Sequence, residues 1–330
     1  MAGSSQRAVV AAIFGNTLVA IAKFGAFFVT GSGAMLSEGI HTAADLLNQI
    51  LLLIGIRRSS RKADRAFPYG YGAERYVWAL MSAVGIFFLG CGVTVYHGIE
   101  SLLHPHELSD VRWAVGVLIG SFFIELYVLI IAVKGVRADA GNRPFFRYLR
   151  KESDPSIAAV VLEDAAACLG VLIALAAILL QQTTGQLFWD GVGSLTIGVL
   201  LGFVAIFLIV RNRSLLVGSS IPAEERGKVM DVLKKSPSIQ HVSDLRSQVI
   251  DNDTYRIRAE VRFDGRNIAH RLEPQLQEAY KQIRDYDDFR KFAVEFADDV
   301  VEELGGIIDG LEAEIRQEVP KARHLDLEAD

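Results

Sequence analysis

His41 and Asp45 stand four residues apart inside an otherwise apolar stretch, Ala34 to Ile56. On a helix that spacing puts both side chains on one face, about one turn apart. The stretch is long enough to cross a bilayer as a helix. An imidazole and a carboxylate at such depth are costly, and they persist mostly where they face a polar pathway or a ligand. One nitrogen and one oxygen at one-turn spacing are also half of a tetrahedral site for a divalent metal. The alternative is a hydrogen-bonded pair that only stabilises helix packing. A second acidic feature, Glu163-Asp164, sits in another apolar stretch, VVLEDAAACLGVLIA, and favours the metal reading.

The elements that must position these residues follow from composition. The chain has 330 residues and is 51% hydrophobic, with mean hydropathy +0.29. That is too apolar for an ordinary soluble protein of this size. The net charge of -5 hides an asymmetry: charge is scarce in the first two-thirds and dense in the last third. This predicts a membrane domain over 1–213 and a soluble one over 214–330. Cys91 and Cys168 both lie in apolar windows and form no disulfide framework or CxxC motif. No enzyme activity, no resident cofactor and no nucleic-acid partner is expected. The start, MAGSSQRAVVAAIFGN, lacks a signal-peptide cleavage pattern and reads as the beginning of the first span.

Six windows can each cross about 30 Å of hydrocarbon: 8–30, 34–56, 74–98, 112–134, 156–181 and 188–210. The loop after the second carries Arg57, Arg58, Arg61, Lys62 and Arg65; the loop after the fourth is equally basic, and Arg211 and Arg213 follow the sixth. The opposite loops, 31–33, 99–110 and 182–187, contain no Lys or Arg. The basic sides therefore face the cytoplasm, with both termini there. The membrane expected is a bacterial inner (plasma) membrane. In the soluble part, Ala223–Lys235 reads as a short amphipathic helix. Val242–Ile250 and Thr254–Phe263 read as a hairpin about Asp251-Asn252-Asp253. Phe289–Glu318 is a periodic helix and His324–Glu328 a last strand. The order α-β-β-α-β is that of a small two-layer α/β sandwich.

Three segments carry a family resemblance: LSEGIHTAAD at 36–45, FPYGYGAER at 67–75, and DGVGSLTIGVLLG at 190–202. With six spans and a small cytoplasmic α/β domain, the chain resembles the cation diffusion facilitator family of divalent metal transporters. The resemblance implies an all-α six-helix transmembrane domain, a ferredoxin-like cytoplasmic domain and a homodimer. It also implies a tetrahedral metal site between spans two and five, with metal export coupled to proton import. The family's span-five pattern, HxxxD or DxxxD, falls on Val160 and Asp164. Val160 cannot ligate, so the motif leaves His41, Asp45 and Asp164, with Glu163 as a fourth oxygen if the helix is rotated or unwound. This LED variant resembles the subgroup related to mitochondrial zinc-transporter-like proteins, which also lacks the span-five His. Nitrogen ligation at His41 favours Zn²⁺ over Mn²⁺; Fe²⁺, Co²⁺, Ni²⁺ and Mn²⁺ stay open. The alternatives to transport are a metal-sensing or scaffolding membrane protein and a passive channel.

Other polar residues have competing readings. Glu125, in SFFIELYVLII, is a proton path, a counter-charge to Lys23, or a hydrogen-bonded core acid. Asn16 and Asn48 could orient ligands by hydrogen bonding. Cys168 could ligate or simply pack, and Asp190 could serve transport or cap a helix. His97, His104, His106 and Glu107 cluster near an outward loop at spacings that match no defined site. A second loop site seen in some relatives is not expected, because Phe67 and Tyr71 stand where His is needed beside Asp64. With only His241, His270 and His324, the soluble domain is expected to bind no regulatory metal, or to bind it weakly, and to serve dimer contacts. The expected partners are a second copy, a divalent metal ion, protons and membrane lipid.

Overall fold

Backbone inside a bilayer has no water to pair with, so each crossing must satisfy its own N–H and C=O groups as a helix. A computed structural model of the protein describes residues 2–105, 107–108, 110–141, 143–151, 155–251 and 253–330. Side chains are described from residue 13 onward, except at 139, 147, 150, 151, 155–157 and 159. Among these residues six helices are long and apolar enough to span a membrane. They are α1 (Ala2–Thr30), α2 (Gly33–Ser59), a third span made of α3 (Glu74–Gly85) and α4 (Val93–Leu103), α5 (Val111–Ala140), α7 (Pro155–Thr184) and α8 (Phe188–Val217). A short α6 (Phe145–Lys151) precedes α7. Large apolar side chains such as Phe28, Leu103, Phe123 and Phe203 face outward, as a surface against acyl chains requires. The chain is an integral, multi-pass membrane protein.

The helices overrun several of the apolar windows. α2 continues to Ser59 through Arg57 and Arg58, and α8 to Val217 through Arg211 and Arg213. Arginine is a good helix former and can reach sideways toward the interface, so the helix outlasts the apolar run. Between α3 and α4 the third span widens into a π-helical stretch, Ile86–Gly92. The α4–α8 contact needs small residues: a Cβ on Gly98 would sit 2.7 Å from the backbone N of Leu195.

The entry of α2 is built with care, and it fixes the helix that carries His41. Ser32, in extended backbone, accepts from the Met35 N–H. Asp190, at the start of α8, accepts from Ser32 Oγ at 2.6 Å, Gly33 N at 2.6 Å and Ala34 N at 3.2 Å. Asp190 is therefore a cap, but for α2 and across the bundle.

The chain divides into two compact units, Met1–Val217 and Gly218–Asp330. The second contains α9 (Ala223–Lys235), β1 (Ile239–Asp251), β2 (Thr254–Phe263), α10 (Gly265–Arg271), α11 (Glu273–Tyr280), α12 (Tyr286–Glu318) and β3 (Ala322–Ala329). The sheet order is β1-β2-β3, with β1 antiparallel and β3 parallel to β2. Asn252, at the expected hairpin tip, lies outside the described residues. The alternation in β2 buries Tyr255, Ile257, Ala259 and Val261 and leaves Arg256, Arg258 and Glu260 on the other face. Val229, Leu233, Leu311 and Ile315 from the helices close over that buried face. This order supplies the second to sixth elements of the ferredoxin-like β-α-β-β-α-β pattern.

Candidate metal site

His41 is buried on α2, with Nδ1 3.6 Å from Oδ1 of Asp45 one turn later. Neither ring nitrogen has a hydrogen-bond partner. Seven residues beyond His41, on the same face, Asn48 donates to Glu163 Oε2 on α7 and accepts from Ser82 Oγ at 2.6 Å. Glu163 is buried and Asp164 half-buried. Glu163 Oε1 and Asp164 Oδ2 are shielded and have no partner. Val160 is 38% exposed, and Glu163 takes the inward place on that turn of α7.

The candidate ligands thus form two halves on packed helices: His41 with Asp45 on α2, and Glu163 with Asp164 on α7. Asp45 lies within electrostatic reach of Glu163, Glu125 and Asp164. Among the described residues, no three His, Cys, Asp or Glu side chains converge closely enough to hold a metal ion. Zinc requires bonds of about 2.0–2.2 Å to nitrogen and oxygen, so the halves must close to share one ion. Their chemistry suits a divalent cation: a neutral imidazole and up to three carboxylates, with buried lone pairs that nothing else uses.

A second buried network adjoins these halves. Lys23 Nζ on α1 donates to Glu38 Oε2 at 2.9 Å, Thr42 Oγ1 at 3.0 Å and Glu125 Oε1 at 2.8 Å. Of the readings open for Glu125, this geometry supplies the counter-charge to Lys23. Glu38 was not among the residues the sequence singled out. Its signal was available: it is a carboxylate in the same apolar helix, three residues before His41.

The remaining candidates scatter. Asn16 is half-buried on α1 and takes no part in these contacts. Cys168 is a buried free thiol one turn after Asp164. His97 packs edge-on against Phe27, with ring centroids 6.4 Å apart, while His104 and Glu107 are exposed in the following loop. His106 lies outside the described residues. Asp64 spends its carboxylate on its own loop: Oδ1 accepts from Ala66 N and Phe67 N, and Oδ2 from the Tyr71 hydroxyl at 2.7 Å. His241, His270 and His324 stand on β1, α10 and β3 and share no cluster.

Residues 9–217 match the family model for the cation efflux transmembrane domain. Over 329 residues, 98% of this chain and 59% of the relative, the sequence is 37% identical to the mitochondrial proton-coupled zinc antiporter SLC30A9 of Xenopus laevis. The human protein of that name is 38% identical over 330 residues, 98% of this chain and 58% of its own. Metal tolerance protein C4 of Arabidopsis thaliana is 36% identical over 335 residues, 98% of this chain and 73% of its own. The chain thus spans under three fifths of the length of these two antiporters. With six apolar spans, a small α/β unit after them and a family match over most of the membrane part, the chain belongs to the cation efflux family, the cation diffusion facilitators.

Proposed function

We propose that the protein is a secondary transporter that moves a divalent transition metal, Zn²⁺, out of the cytoplasm in exchange for protons. The observation that carries this reading is the pairing of two half-sites across α2 and α7. His41, Glu163 and Asp164 present buried ligand atoms that no other group satisfies, and Asp45 stands one turn from His41. The name of the SLC30A9 relatives, at 37–38% identity, points the same way for metal and counter-ion.

In this reading His41 supplies a neutral imidazole nitrogen, and Asp45 and Asp164 supply carboxylate oxygens. Glu163 supplies the fourth atom while Asn48 holds its other oxygen. All of these bind a metal deprotonated, so protons that reach them compete with the ion and help release it. His41 suits the exchange, since an unperturbed imidazole titrates near neutral pH. Orientation rests on the basic loops, which put both termini on the cytoplasmic side. The active unit is a homodimer, and 1–213 carries transport while 214–330 contributes dimer contacts.

The test is zinc flux into vesicles containing the purified full chain, with and without a pH gradient. Wild type should move Zn²⁺, and an opposing proton gradient should drive it. Asp164→Ala should abolish the flux, and undiminished flux in that variant would sink the proposed site. Flux without coupled proton movement would indicate a channel. That no three ligands converge among the described residues keeps a second reading, a metal sensor or scaffold; absence of flux for every divalent metal tried would favour it.

A further inference from the structure

The residues that open the third span build a groove that lies apart from the candidate metal site. Asp64 holds the preceding turn through the N–H groups of Ala66 and Phe67 and the Tyr71 hydroxyl. Gly70 takes a positive φ of 82° within it. The turn sets the Phe67 and Tyr71 rings 4.6 Å apart. On α3, Glu74, Val77, Trp78 and Met81 follow at i, i+3, i+4 and i+7 and share one face. These side chains and the two rings line a groove of about 360 Å³ that runs from the loop onto the first two turns of the span. Phe67, Val77 and Met81 are exposed. Glu74, the acid among the lining residues, turns its carboxylate onto the Trp78 indole N–H at 3.0 Å.

The mouth of the groove is cationic. Arg58 places its guanidinium carbon 5.5 Å from the Trp78 ring centroid, and Arg61 places its own 4.7 Å from that of Tyr71. Arg57, Lys62 and Arg65 are exposed in the same stretch. Asp64 lies within electrostatic reach of Arg61 and offsets it in part. Among the described residues, Arg57, Arg58, Lys62 and Arg65 form no ion pair. A surface that is aromatic and apolar along a span and cationic at its mouth fits an amphiphile with an anionic head and acyl chains. A soluble phosphate would use the mouth alone, and a neutral lipid the groove alone. Basic clusters beside a span attract anionic lipid by about fivefold for each residue near the surface. Trp and Tyr settle at the same headgroup level, and arginine can hold a phosphate through two parallel N–H bonds.

We propose that this groove binds one anionic phospholipid, its phosphate against Arg58 and Arg61 and an acyl chain along Val77, Trp78 and Met81. So placed, the lipid joins the last turn of α2, the helix that carries His41, to the start of the third span. The site is independent of metal exchange, since none of its residues is a candidate ligand.

The experiment uses the purified full chain carrying Trp113→Phe and Trp189→Phe, which leaves Trp78 as its one tryptophan. It is placed in mixed vesicles of phosphatidylglycerol and phosphatidylcholine, with bromine on the acyl chains of one lipid or the other. Bromine quenches indole on contact, so the Trp78 fluorescence reads which lipid fills the groove. Brominated phosphatidylglycerol should quench more than brominated phosphatidylcholine at equal mole fraction. That preference should drop by about fivefold in Arg58→Gln and again in Arg61→Gln. Lys134→Gln, in the basic loop after the fourth span, should leave it unchanged. Equal quenching by the two lipids overturns the proposal. So does an equal drop in Lys134→Gln, which would mark a general attraction to basic loops. Quenching by neither lipid, in an oligomer whose dissociation exposes Trp78, would give the groove to a second copy and overturn it too. Should the arginine variants not fold, a salt series on the Trp78-only chain decides. The preference must fall as ionic strength rises, and a preference indifferent to salt overturns the proposal.

Discussion

Asn48 on α2 donates to Glu163 on α7, so the helix that carries His41 also holds the carboxylate that stands beside Asp164. Ser82 on α3 in turn donates to Asn48 at 2.6 Å, which fixes the amide's orientation. Three helices are thus tied beside the candidate ligands. Groups that orient ligands typically contribute 10–100-fold to metal affinity. Asn48→Ala should therefore weaken zinc binding by roughly tenfold or more in a calorimetric titration, and Ser82→Ala by less. Equal affinities in wild type and Asn48→Ala would show that Glu163 needs no such support.

Asp190 predicts a stability effect without a direct effect on binding. Its carboxylate takes three hydrogen bonds at the N-terminus of α2, two of them from the buried backbone N–H groups of Gly33 and Ala34. Removing a cap costs roughly 0.5–2 kcal/mol, and each buried donor left unpaired about 1–3 kcal/mol. Asp190→Ala should lower the unfolding free energy in detergent by about 2 kcal/mol. Asp190→Asn keeps one acceptor and should lose less. A denaturation midpoint unmoved by Asp190→Ala would contradict the cap.

The existence of the spans was legible because hydrocarbon demands about twenty apolar residues, whatever their packing. Their ends were not, because a hydropathy window stops at Arg57 while the helix does not. The π-helical stretch at Ile86–Gly92 was also hidden, since hydropathy does not register a change in hydrogen-bond spacing. His41 and Asp45 stood out because their spacing falls on one face of one helix. Glu38 did not, because its partner Lys23 lies 15 residues away on another helix and their meeting depends on how α1 packs on α2. Asn48 could be named as an orienting residue, but its partner Glu163 is 115 residues distant, and no periodicity reports that contact.

The loop after α2 makes a prediction about pH. Asp64 is held below the usual carboxyl range, first by the Tyr71 hydroxyl and next by the backbone N–H of Phe67. A carboxyl depressed in the fold contributes stability above its unfolded value of about 3.9. That contribution is lost as pH falls through the lower folded value. Tyr71→Phe removes the largest cause and should move the Asp64 midpoint up toward the ordinary value, read by carbon-13 NMR of the labelled carboxyl. An unmoved midpoint would assign the depression to the backbone donors.

Gly170 and Glu38 make a prediction about sign. Replacing glycine by alanine inside a helix ordinarily stabilises it by about 1 kcal/mol. At 170 the new methyl would overlap Glu38 Oε1, and the carboxylate that must shift is the one whose other oxygen accepts from Lys23. Overpacking of this kind costs roughly 1–3 kcal/mol, so Gly170→Ala should destabilise wild type. In a Glu38→Ala background the overlap is gone, and the same substitution should stabilise by the helical amount. A double-mutant cycle on unfolding free energy in detergent measures the coupling, which should exceed about 1 kcal/mol. Equal effects of Gly170→Ala in the two backgrounds would mean that the carboxylate of Glu38 does not occupy the groove at Gly170.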